Sequence, residues 1–177
     1  MSDSLIMLLM VALLVFWTVG AYNRLVRLRS QALQAFGALA VQLRRHIALA
    51  QSSAAAATKA TQAPGTAPAG LEAAATQCLA SLNAAKAKPL DPESIAALAA
   101  ARGILVMAWQ RLASAPHDLG GAPLPESLRA EWDHLVLQVM GAVEEFNQSV
   151  QRYNAAVGQF PALLLAWLFG FRAARPL

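Results

Sequence analysis

The chain carries no charged residue from Leu5 to Tyr22 and no proline before Pro64. Its opening run, LIMLLMVALLVFWTVGAY, is apolar on every side. The run passes without a stop signal into NRLVRLRSQALQAFGALAVQLRRHIALA. There the apolar residues keep to Leu25, Leu28, Ala32, Phe36, Leu39, Leu43 and Ile47, three or four apart. That spacing is one stripe of an α-helix. A helix apolar all round belongs in lipid or a deep core, whereas a striped one lines a bundle. One uninterrupted helix with both patterns predicts a membrane span that continues as the first helix of a helical bundle.

A spanning helix needs about 20 apolar residues, and Leu5–Tyr22 meets the lower end of that requirement. Trp17 and Tyr22 stand where interfacial aromatics are favoured. Val19-Gly20-Ala21 resembles a cleavage site, but the leading Met-Ser-Asp-Ser has an acid and no cation, which argues for an uncleaved anchor. Asp3 precedes the run, while Arg24, Arg27, Arg29, Arg44 and Arg45 follow it. Lys and Arg are retained on the cytoplasmic side, so the bulk of the chain is expected there. The first three arginines also suit anionic headgroups.

Composition supports helix. The chain is 57% AVILMFWYC and 14% charged, with Ala dominant, and Ala, Leu, Gln and Arg lose little on entering a helix. The net charge of +4 comes without a dense cationic face, so no nucleic-acid partner is expected. The single cysteine, Cys78, excludes an intrachain disulfide and a cysteine-built zinc site. It shares a face with Leu71, Ala75, Leu82 and Ala85, so it is expected in the core.

The order of parts then follows. Residues 1–22 form the anchor and residues 23–160 the bundle. Pro64, Gly65, Pro68 and Gly70 predict a flexible loop around 61–70. A second helix is expected over Leu71–Ala87. Pro89-Leu90-Asp91-Pro92 breaks it, with Asp91 as the N-cap of a third helix over Pro92–Ala113. The third helix has its stripe at Ile95, Leu98, Leu105, Trp109 and Leu112. Ala115–Pro125 is a Gly/Pro-rich connection. A fourth helix over Glu126–Gln159 carries a seam at Trp132, Val136, Val139, Val143, Phe146, Val150, Tyr153, Val157 and Phe160. At 1.5 Å per residue it is about 50 Å long, a match for the first helix outside the membrane. The fold class is therefore all-α: an N-terminal transmembrane helix continuing into an antiparallel up-down bundle of about four helices, two of them long. Residues 161–177 are a short apolar segment, ALLLAWLFGF followed by two arginines, that either lies in the membrane interface or caps the core.

Two passages carry a family resemblance. The first holds Tyr22, Asn23, Leu25, Val26, Leu28 and Arg29, then Gln42, Leu43 and Arg45. The second holds Tyr153, Asn154, Val157, Phe160 and Pro161, then Phe169, Gly170 and Phe171. Their order and spacing resemble the LemA family, of which this chain looks like a divergent member. Ala40 stands where that family usually has Asp, and IALAQSSAAAA replaces its following segment. The resemblance implies a single-pass anchored bundle, with a bacterial inner membrane as the expected location. It implies no enzymatic reaction.

The chemistry-bearing residues are sparse. Glu131 and His134 form one E-x-x-H on the fourth helix, but bundle-borne two-metal sites use two such motifs and two more glutamates. No second motif exists, and the first helix has no acid between Leu5 and Gln51. His46 borders the apolar stripe and is expected to be packed or solvated. His117 and Asp118 are expected on a loop surface, and Glu144 and Glu145 beside the seam. No catalytic residue, cofactor, metal or small-molecule substrate is expected. The partners expected are the lipid bilayer and another membrane or membrane-associated protein, in a scaffold or assembly role. The alternatives are a membrane-linked signal relay and, further off, a metal-dependent enzyme on Glu131 and His134.

Overall fold

The computed structural model describes residues 2–61, 66–114, 124–159 and 162–177. Five α-helices occur among them: α1 (Ser2–Thr61), α2 (Thr66–Ala87), α3 (Pro92–Ala113), α4 (Glu126–Gly158) and α5 (Ala162–Phe169). The fold is all-α, as the periodicities require. α1 is one unbroken helix of 60 residues. From Leu5 to Val15 every side chain is exposed, including Leu8 and Leu13 at 68% each. This is a helix long and apolar enough to cross a membrane. α3 passes the same test of length and composition, yet it buries Ile95, Leu98, Leu105 and Trp109 inside the bundle.

Beyond the apolar run, α1 buries Leu25, Ala32, Phe36, Leu39, Leu43 and Ile47 and half-buries Leu28. The predicted stripe is thus the core-facing side. Above Leu39 the buried face widens to take in Ala40, His46, Leu49, Ala50, Ser53 and Ala54. The widening marks where α2 joins α4 against α1. α1 packs on both, and α2 packs on α3. α4 runs antiparallel to α1, since Phe36 meets Phe146 at 5.6 Å and His46 meets Trp132 at 3.9 Å between ring centroids.

α2 and α3 hold 22 residues each and α4 holds 33. At 1.5 Å per residue the short pair is about 33 Å long and α4 about 50 Å. The bundle is therefore stepped. Four helices share a core at the end far from the apolar run, and α1 with α4 continue towards that run as a pair.

Local signals set the helix ends. Asp91 caps α3, its Oδ2 accepting from the Ser94 amide at 2.9 Å, with Pro92 in the first turn. Arg129 Nη2 donates to the Ala113 carbonyl at 3.2 Å, satisfying a free carbonyl at the α3 C-terminus. α1 runs on through the alanines to Thr61, since nothing in that stretch breaks a helix. Two expectations need correction. α2 starts at Thr66, so residues 66–70 of the expected loop are helical. Pro68 sits buried in its first turn, where the missing amide costs no intrahelical bond. On the α4 seam, Val136 and Val143 are only half-buried, and Leu135, Ser149 and Ala156 lie deeper. Residues 62–65 of the expected loop, most of the 115–125 connection (with His117 and Asp118), Phe160 and Pro161 lie outside the described residues.

Phe146 has no exposed surface and sits edge-on to Phe36 at the centre of the seam. Phe146→Ala is expected to destabilise the fold by about 3–5 kcal/mol. Denaturant unfolding of the full chain in mild detergent, followed by circular dichroism, measures it; a loss below about 1 kcal/mol would mean the seam does not carry the fold.

Candidate functional site

Two ends of the resembling passages, Tyr22 and the Phe169-Gly170-Phe171 run, meet where the apolar run of α1 ends. The Tyr22 ring lies 5.0 Å from Phe169 and 6.0 Å from Phe171. Gly170 links those two phenylalanines with φ +71°. The Phe171 amide donates back to the Ala166 carbonyl at 2.8 Å. This is a Schellman-type helix end, in which the residue after the helix must be left-handed, so glycine suits it. The cap reverses the chain and brings both phenylalanines to Tyr22.

After the cap, residues 171–177 run extended along α4 as a strap. Tyr153 Oη donates to the Arg172 carbonyl at 3.0 Å. Asn154 Nδ2 donates to the Ala174 carbonyl at 2.7 Å, and the Ala174 amide donates to Asn154 Oδ1 at 2.8 Å. Asn147 repeats the pair with Leu177, at 3.1 and 2.8 Å. Each asparagine amide thus meets one residue's N–H and C=O together, as a neighbouring strand would. The register follows from two rises: seven helical residues and three extended residues both cover about 10 Å. Buried Ala174 and half-buried Phe171 and Leu177 recur every third residue. Burial raises the Tyr153 hydroxyl pKa above its usual value, with Arg29 opposing, so the tyrosine stays a donor.

The remaining motif residues divide between core and surface. Leu25, Leu43 and Val157 are buried, and Leu28 is half-buried. Asn23, Val26, Arg29 and Arg45 are exposed. Gln42 is half-buried, with Oε1 enclosed and without a protein partner. Sequence reasoning missed Asn147 and the strap. The available signal was the seven-residue spacing of Asn147 and Asn154, which puts two amides on one helix face. α5 shows its large residues outward: Leu163, Leu164, Trp167 and Leu168 are exposed, Trp167 at 85%. Within residues 161–177, then, the strap buries Ala174 in the core, while α5 contributes Ala166 and turns these large residues outward.

A second cluster lies in the wider core. His46 is buried against Trp132, and Trp132 stacks on Trp109 at 4.1 Å with the rings nearly parallel. Neither His46 ring nitrogen has a protein partner. Burial, then the Arg102 charge, lowers its pKa to about 4. Burial likewise pushes the Cys78 thiol up to about 11, so it stays protonated and inert. His134 is exposed and hydrogen-bonds the Gln138 amide at 2.9 Å. Among the described residues, no three His, Cys, Asp or Glu side chains converge as metal ligands would. No family model, curated protein or solved structure matches the chain.

Two outcomes are expected. The unfolded chain binds the His46 proton near pH 6.5 and the folded chain only near 4, so stability falls as pH drops through that window. A shift of that size is on the order of 3 kcal/mol, and His46→Leu should flatten that part of a stability-against-pH curve; an unchanged slope would place the acid sensitivity elsewhere. For the strap, Asn147→Ala with Asn154→Ala should speed trypsin cleavage after Arg172 without altering the thermal melt of the helices. Equal cleavage rates would show the amides do not hold it.

Proposed function

We propose that the chain is a single-pass membrane-anchored bundle of the LemA type, acting as a scaffold or assembly partner without a reaction of its own. The observation that carries this reading is the junction at Tyr22. On one side of it lies a helical run exposed on all faces, and on the other a packed core. The Phe169-Gly170-Phe171 turn closes onto Tyr22 at the boundary. Exposed apolar surface of that extent is costly in water and favourable in lipid.

In this arrangement α5 lies in the interface beside the span, with Trp167 and its leucines in the headgroup boundary. Arg24, Arg27 and Arg172 are exposed near the same level and suit anionic headgroups. The cytoplasmic orientation rests on the arginines that follow the span, and a bacterial inner membrane on the family resemblance. The scaffold reading rests on the core itself. Its buried groups pack or hold the strap, and its histidine is kept neutral.

Alkaline carbonate extraction tests the anchor: the chain should stay with the membrane pellet, and release into the supernatant would overturn the reading. Orientation is tested by Ser114→Cys and a membrane-impermeant maleimide. Labelling should require lysis of the inner membrane. Labelling from the periplasmic side would reverse the orientation.

A further inference from the structure

The step in the bundle leaves part of α1 without a partner. Below the α2–α3 turn lies an open groove of about 540 Å³, lined by Leu33, Phe36, Gly37, Ala40 and Val41. Arg44, Arg45 and Lys86 complete its wall, and no acid does. Val41 is 52% exposed there, and Val26 extends the apolar face at 42%. Among the described residues, none of the three cations has an acidic partner. The groove is thus apolar at its floor and cationic at its rim.

α4 carries the converse surface. On the side away from its core, Leu137 and Met140 are 68% and 55% exposed. Asp133 and Glu144 flank them at helical spacing on the same side. Both acids are exposed. This face is apolar at its centre and anionic at its ends.

The two surfaces also share a height. Phe36 faces Phe146 and His46 faces Trp132. The α4 residues from 132 to 146 therefore lie level with α1 residues 36 to 46, which overlaps the groove. Leu33 stands 11 residues beyond Tyr22, about 16 Å along the helix. Headgroup charge is screened within about 8 Å at physiological salt, so the rim cations lie beyond bilayer lipids. In copies anchored in one membrane, groove and acidic face are brought level with no tilt.

We infer that the α1 groove receives the outer face of α4 from a second copy of this chain, in lateral, head-to-tail contact. The inference rests on the anchored reading above, because the bilayer is what aligns the copies. α4 of the neighbour then lies antiparallel to α1, the same helix sense as inside the chain. Each copy uses one groove and one face, so the contact is heterologous and builds a ring or a row. Confinement to the membrane raises the effective concentration, so a small interface suffices.

Two differently tagged full-length chains, one Val41→Cys and one Leu137→Cys, are expressed together, and isolated membranes are treated with a short bismaleimide. Native Cys78 is buried and stays silent. The expected product is an adduct joining the two tags, absent when Gln110→Cys replaces Val41→Cys. Arg44→Glu with Arg45→Glu should cut the adduct about tenfold, and adding Asp133→Lys with Glu144→Lys to the partner should restore it. Thermal melts check that the variants fold. Same-position adducts in excess would show a symmetric contact and overturn the inference. So would adducts to other proteins only, or membrane-bound protein with no adduct. Protein recovered in the soluble fraction instead would remove the anchor, and with it the alignment of copies.

Discussion

The seam between α1 and α4 is the interaction on which the rest depends. α1 has two solvents along one axis, and only its later part has a core to face. Among the described residues, α4 is the one other helix long enough to cover that part. Where Phe36 meets Phe146 and His46 meets Trp132, the two helices are fixed in direction and register. Every other element is placed relative to this pair. α2 and α3 fill the far end, and the α5 turn and strap close the near end.

The mismatch in helix length shapes the surface. Helices of 22 residues cannot cover partners that run about half as far again. The near end therefore has a two-helix core, too thin to bury a helix face on both sides. The strap supplies part of the missing cover at low cost in side chains. It uses main-chain groups, satisfied by two asparagine amides and a tyrosine hydroxyl. The strap does not reach all of α1, and Leu33 and Val41 remain open to solvent.

The far end has a different chemistry. A histidine there is kept neutral by burial, packed against Trp132, and by the nearby Arg102 charge. An imidazole with no hydrogen-bond partner in a core carries a desolvation cost. Its ring packs tilted against the Trp132 indole, 3.9 Å between centroids, which offsets part of that cost. The same burial that makes Cys78 inert makes His46 a group that resists protonation.

The sequence by itself determined the helices and their inward faces. Spacings of three and four marked the α1, α2 and α3 stripes, Asp91-Pro92 marked a start, and a charge-free run marked the exposed part of α1. These were legible because helical periodicity and capping are local. Three features were not. Pro68 reads as a breaker unless its place in a first turn is known, and that depends on where the chain turns back. The strap's apolar residues recur every third position, a period that matches neither helix nor strand and gains meaning only beside Asn147 and Asn154. His46 looked like a border residue because its ring partner Trp132 is 86 positions along the chain. Tertiary structure alone decided these, since each depends on contacts between distant segments. It also decided the step, because two short helices reveal an uncovered face only after they are laid against a longer one.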